Sequence, residues 1–180
     1  MLSFVTRRSF LAQTAIPLMA ASPFAKLNYK APELEGKDWL NAPGGPLHLR
    51  DRAGLVTVVH FWTYMCINCK RNLPIYGRWH TRFAAQQVEV IGIHSPEFPA
   101  EAIAKNVEKR AKEFGIVYPV LLDPALKNWN RWNQQVWPCV YLIGRNGKVR
   151  YRWDGEMNYG QLDGERKMTA LIEELLAEKV

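Results

Sequence analysis

The sequence predicts an α/β fold in three layers, a mixed β-sheet with helices on both faces. Three observations carry that expectation. Segments with strand and helix periodicity follow one another in the order strand, helix, strand, helix, strand, hairpin, helix. Residues 55–62, LVTVVHFW, are almost continuously apolar and β-rich, as a strand covered on both faces must be. That strand runs straight into Cys66 and Cys69, a Cys-X-X-Cys at the start of a helical pattern.

The elements follow in chain order. Residues 1–25 contain no acid, a twin arginine at Arg7 and Arg8, and a moderately apolar run to Ala21, the pattern of a twin-arginine export signal. Pro17 interrupts the apolar run, which is shorter than the ~20 residues a membrane span needs. Small residues allow cleavage after Ala21, Ser22 or Ala25, and no cysteine near the junction suggests a lipid anchor. Residues 26–33 read as a polar linker. The domain proper is expected over residues 34–180. It begins with two short apolar segments, 38–41 and 47–50, which flank APGGP and predict a β-hairpin or a pair of edge strands.

After the strand at 55–62, Leu73, Tyr76, Trp79 and Phe83 recur every three or four residues, so residues 69–86 predict an amphipathic helix with one buried stripe. Pro74 inside it is expected to kink it. Residues 88–93 form the next buried strand and HSPEFP its terminal loop. Residues 100–114 read as a helix ended by Gly115, and 120–122 as a short strand stopped by Asp123 and Pro124. A short helix over 125–132 carries Trp129 and Trp132, an aromatic stripe read as core packing. Residues 136–143 lead through the turn Arg145, Asn146, Gly147 into a strand over 149–153, and 162–178 close the chain as an amphipathic helix.

The 180 residues, 48% hydrophobic and 23% charged, suit one globular domain. The net charge of +7 falls only to +5 without residues 1–25, so the basicity belongs to the body of the protein. Lys105, Lys109, Arg110 and Lys112 alternate with Glu101, Glu108 and Glu113. This reads as a solvated helix face and argues against nucleic-acid binding.

Chemistry concentrates at Cys66 and Cys69. A thiol in the first turn of a helix is stabilised as thiolate by free backbone N–H groups and the helix dipole. A second thiol one turn on can attack a mixed disulfide on the first. A zinc site would need a second ligand pair, and only Cys139, His48, His60, His80 and His94 remain, without a second Cys-X-X-Cys. FWTYMCINC followed by Pro74 resembles the thioredoxin superfamily, in particular its exported bacterial branch with a WTYxCINC signature, related to redoxins and cytochrome-maturation proteins. The likeness runs from about Leu34 to the C-terminus.

The resemblance implies a thioredoxin fold with an N-terminal β-hairpin and an inserted helix and strand. Cys66 becomes the nucleophile and Cys69 the resolving thiol. Pro138 is implied to follow a cis bond from Trp137 and to face the disulfide, beside backbone groups that hold an extended substrate. Trp62 is expected to pack beneath the disulfide, with Tyr64 and Trp137 completing the substrate-binding residues. His60, six residues before Cys66, stands where many thioredoxins have a buried aspartate. Two readings stay open: a base for Cys69, or a buried histidine held by hydrogen bonds. Asn72 occupies a position where several cytochrome-maturation relatives have glutamate. Cys139 reads as a buried small hydrophobe, or as a third thiol near the pair. His94 and Glu97 are placed in the loop after the second long strand.

The expected function is a periplasmic thiol–disulfide oxidoreductase acting on protein cysteines, a reductase rather than an oxidase. It would act as a monomer without cofactor or resident metal, on cysteine-containing exported proteins, with a membrane-embedded electron donor. The alternatives are a copper chaperone using Cys66, Cys69 and His94 or Cys139, and a peroxiredoxin-like thiol peroxidase.

Overall fold

A computed structural model of the chain describes residues 22–178. The core of the fold is one seven-stranded sheet in the order β1 (Phe24–Lys30), β7 (Lys148–Asp154), β6 (Cys139–Ile143), β3 (Val56–Trp62), β4 (Val88–His94), β5 (Val120–Leu122), β2 (Trp39–Leu40). Its centre is β3 (Val56–Trp62), in which every residue is buried. β3 pairs in parallel with β4 (Val88–His94) and antiparallel with β6 (Cys139–Ile143). β5 (Val120–Leu122) continues the parallel half, and β7 (Lys148–Asp154) hairpins onto β6.

Alternation along β3 divides the core in two. Val56, Val58 and Trp62 face α1 (Ile67–Phe83), α2 (Ala104–Glu113) and α4 (Gly164–Ala177). Val59 and Phe61 face the other way, onto Leu34, Leu49 and the short α3 (Lys127–Arg131) with Trp132 just past its end. The three layers are therefore present but unequal. Trp79 and Phe83 lie on the buried stripe of α1, and Pro74 sits within α1 on its exposed side.

Two sequence expectations are corrected at the N-terminal end. Much of the stretch expected as a linker is sheet: β1 (Phe24–Lys30) pairs antiparallel with β7, with an irregularity between Lys26 and Tyr29. Its polar composition reflects an edge strand with one side in solvent. The expected hairpin does not form. Trp39–Leu40 (β2) pairs instead with the edge of β5, and Leu49–Arg52 is a 3-10 turn. Each half finds a better partner, because Glu33 accepts hydrogen bonds from the N–H groups of Leu49 (2.6 Å) and Arg50 (3.0 Å). The expected helix over 100–114 is also divided, into a 3-10 turn at Pro99–Ala102 and then α2.

Gly92 on β4 lies opposite His60 on β3. A Cβ there would stand 3.0 Å from His60 Nε2 and 3.2 Å from Trp62 Nε1, tighter than packed side chains accept without moving. Gly92→Ala is expected to destabilise the protein by about 1–3 kcal/mol, read as a lower midpoint in urea unfolding with an unchanged slope.

Candidate active site

The sheet register brings the site together. Phe61 pairs with Cys139 and Trp62 with His94, so the end of β3, the start of β6 and the end of β4 lie side by side at one end of the central strands. Cys66, Pro138 and His94 are thereby collected from segments far apart in sequence.

Cys66 is the N-cap of α1, with extended backbone, and its sulfur accepts a hydrogen bond from the Cys69 N–H at 3.1 Å. The two cysteines are disulfide-bonded, with Cα atoms 5.2 Å apart. Cys66 is half-buried and Cys69 fully buried. Cys66 is therefore the more accessible of the two sulfurs and Cys69 the sheltered one. A sulfur held at a helix N-terminus is stabilised as thiolate by the local N–H groups and the dipole. Exposed Met65 and Ile67 flank it.

The Trp137–Pro138 bond is cis, as the resemblance implied. Trp137 is half-buried, stacks on Trp129 at 3.8 Å and donates its indole N–H to the Ser95 carbonyl at 3.1 Å. Trp129 is in turn held through its backbone N–H by Asp123, which also accepts the Ser95 hydroxyl proton. Trp129, read from the sequence as core packing, is thus part of the support for the proline loop. No local periodicity could have paired it with Trp137.

Trp62 is fully buried in the cluster that contains Cys69, with Cys66 packed against it. Its ring meets His94 edge-on at 4.9 Å, and Tyr64 stacks on the other side of His94 at 5.7 Å. His94 belongs to β4 itself and is buried. Burial lowers its pKa to about 4, although the Glu101 charge pulls the other way. His60 is also fully buried, stacked on Tyr76 at 3.9 Å with Tyr118 edge-on at 5.5 Å. Neither of its nitrogens has a hydrogen-bond partner among the described residues. Burial brings its pKa down to about 3, so it is neutral across the range in which thiols titrate and a weak proton acceptor. This environment speaks against the base, and it also corrects the expected hydrogen bonds: among the described residues His60 is held by ring packing with Tyr76 and Tyr118.

Asn72 is buried one turn beyond Cys69. Its Oδ1 accepts the Met157 N–H at 3.0 Å and its Nδ2 donates to the Gly155 carbonyl at 3.1 Å. The Gly155 N–H in turn donates to the Pro138 carbonyl at 2.7 Å. Asn72 therefore ties the cysteine helix to the proline loop through one intervening residue, Gly155. Cys139, by contrast, belongs to the apolar cluster on the other face of the sheet from Cys69. Burial, with Asp154 beside it, raises its thiol far above the ordinary range. The sheet separates it from the pair, which supports its reading as a small hydrophobe.

Sequence reasoning missed Glu101, taken there as part of a solvated face. It is completely buried. The break between the 3-10 turn and α2 turns it inward, while Glu108 and Glu113 remain exposed. Burial alone would raise its carboxyl, but hydrogen bonds from Thr63, Met65, Phe98 and Glu97 outweigh that and hold it below the usual range. The available signal was Pro99 at the first position of a turn with an acid two residues on, a capping pattern.

Residues 27–152 match the model of the AhpC/TSA family. Protein DipZ of Mycobacterium tuberculosis is 40% identical over 131 residues, which are 72% of this chain but 19% of that protein's length. The thiol-disulfide oxidoreductase ResA of Geobacillus thermodenitrificans is 26% identical over 148 residues, 82% of this chain and 75% of that one. A solved thiol-disulfide isomerase from Corynebacterium glutamicum superposes with a TM-score of 0.69 at 25% identity, covering 83% of this chain and 98% of its own.

The two buried imidazoles set a pH dependence. Unfolded histidines take up protons below about pH 6.5, whereas His60 and His94 do so only near 3 and 4. Their contribution to stability is complete above pH 6.5 and is lost as pH falls towards those values. At pH 5 each is expected to cost about 2 kcal/mol relative to pH 8. Urea unfolding at the two pH values checks this, and His60→Phe, which keeps the stack on Tyr76, is expected to remove about half of the loss.

Proposed function

Since this chain belongs to the AhpC/TSA family, we propose that it is a thiol–disulfide oxidoreductase exchanging electrons with protein cysteines through Cys66 and Cys69. The observation that carries this is the asymmetry of the pair: a half-buried sulfur at a helix N-terminus bonded to a fully buried one. In the reducing direction the Cys66 thiolate attacks a client disulfide, forms a mixed disulfide and releases one client thiolate. Cys69, after losing its proton, attacks the Cys66 sulfur, closes the intramolecular disulfide and releases the second client thiol. Two electrons pass to the client, and a donor must restore the dithiol.

Pro138 and Trp137 present the backbone against which an extended client segment lies, with Tyr64 beside it; Trp62, expected among the substrate-binding residues, is wholly buried and supports the disulfide from below instead. His60 serves by packing under α1. We read the chain as a reductase working outside the cytoplasm on exported cysteine-containing proteins and recharged by a membrane-embedded donor. The twin-arginine segment lies outside the described residues. No described helix is long and apolar enough to cross a membrane.

Cys69→Ser is expected to accumulate a mixed disulfide on Cys66 with an oxidised peptide, and Cys66→Ser to bring insulin reduction down to the uncatalysed rate. Catalysis surviving Cys66→Ser would end the proposal, and peroxide consumption surviving Cys69→Ser would move it to a thiol peroxidase. A reduction potential near ~−270 mV is expected of a reductase, and one near ~−120 mV would reverse the direction.

The edge strand bears on processing. Phe24 pairs with Trp153 and stacks on Tyr151 at 6.0 Å, and the Pro23 carbonyl accepts the Asp154 N–H at 2.8 Å. Cleavage after Ala25 would remove these contacts, whereas cleavage after Ala21 or Ser22 keeps them. The N-terminal sequence of the exported protein is expected to begin at Ser22 or Pro23.

A further inference from the structure

Glu101 is a buried ionisable group that the exchange reaction leaves without a role. Its carboxylate spans two segments. One oxygen accepts the Thr63 hydroxyl and the Met65 N–H (2.8 Å), both from the loop that runs from β3 to Cys66. The other accepts the N–H groups of Glu97 (2.9 Å) and Phe98 (3.0 Å), from its own loop after β4. Between Thr63 and Met65, the Tyr64 hydroxyl donates to the Ala100 carbonyl at 3.0 Å, and Asn106 Nδ2 donates to the same oxygen at 3.0 Å. All three residues that precede Cys66 are therefore tied to the Pro99–Ala102 turn.

An ionised carboxylate with four donors and no solvent exposure is costly to place, and each bond to a charged acceptor is stronger than a neutral one. Such a group rigidifies whatever it joins. What it joins here is the backbone that decides where the Cys66 sulfur sits. Cys66 is an N-cap with extended φ and ψ, so helical hydrogen bonding does not hold it from the N-terminal side. In the oxidised protein the disulfide restrains it. Once that bond is reduced, the Lys70 N–H still holds the Cys66 carbonyl at 3.1 Å from the helix side, and the restraint from the N-terminal side is residues 63–65.

We propose that Glu101 is a positioning residue for Cys66: by clamping residues 63–65 it keeps the sulfur at the N-terminus of α1 when the disulfide is open. The inference rests on the dithiol reading above. Its readout, the thiol pKa of the reduced protein, needs no client and so can fail while disulfide exchange stands.

The test is titration of the Cys66 thiolate by its ultraviolet absorbance in reduced protein, with near-ultraviolet circular dichroism confirming the fold. In Glu101→Ala, loss of the clamp lets the sulfur leave the helix terminus, and the pKa is expected to rise by about one unit. That is about a ten-fold lower ratio of thiolate to thiol at a given pH. Glu101→Gln keeps one oxygen for the Met65 N–H and is expected to recover part of the shift. Thr63→Val leaves the carboxylate and its charge in place, removes one tie and is expected to raise the pKa by a smaller amount. A folded variant with lower stability but wild-type pKa would overturn the proposal by making Glu101 a purely structural group. A fall in pKa on Glu101→Gln would overturn it in favour of simple charge repulsion. If Glu101→Ala does not fold, Glu101→Gln and Thr63→Val decide.

Discussion

The hydrogen bond from the Cys69 N–H to the Cys66 sulfur is the contact that the molecule is arranged to support. It exists only because a fully buried strand ends where a 17-residue helix begins. A helix start leaves several N–H groups without intrahelical partners. Here the group that answers one of them is the reactive sulfur itself, so capping the helix and activating the thiol are the same interaction. β3 supplies the rigidity, since it is paired on both sides and covered on both faces. α1 supplies the field.

Around that contact, buried polar side chains do the joining that apolar packing cannot. Asn72 links α1 to the Gly155 peptide and so to Pro138. Asp123 links the end of β4, through Ser95, to the Trp129 backbone beneath Trp137. Glu101 links the loop before Cys66 to the loop after β4. Apolar burial is non-directional and sets how strongly the layers adhere. Hydrogen bonds with defined donors set where one loop stands relative to another. At a site where two sulfurs and a proline must face one another, that difference separates a stable fold from a working one.

Much of this was legible in the chain. Residues 55–62 announced the central strand by continuous apolarity, and 69–86 announced α1 by its stripe of Leu73, Tyr76, Trp79 and Phe83. Cys66 and Cys69 declared their chemistry by spacing, and Pro138 by its likeness to a known loop. The failures share one cause. β1 looked like a linker because an edge strand needs few apolar residues, and its pairing with β7 joins positions more than a hundred residues apart. The hairpin expected around APGGP obeyed local turn chemistry but lost to Glu33 and to the free edge of β5. Glu101 looked solvated because helical periodicity was extended through a break that only the packed loop reveals.

The amino-acid sequence by itself determined the order of elements, the redox pair and the strand and helix that present it, because these follow from periodicity and spacing over a few residues. Tertiary structure alone decided that Glu101 and Asn72 are buried and bonded to the loops around the disulfide, that His60 is buried without a hydrogen-bond partner among the described residues and that Cys139 lies across the sheet. Burial, hydrogen-bond partnership and the face a side chain occupies depend on which distant segments close around it, and no local pattern encodes that closure.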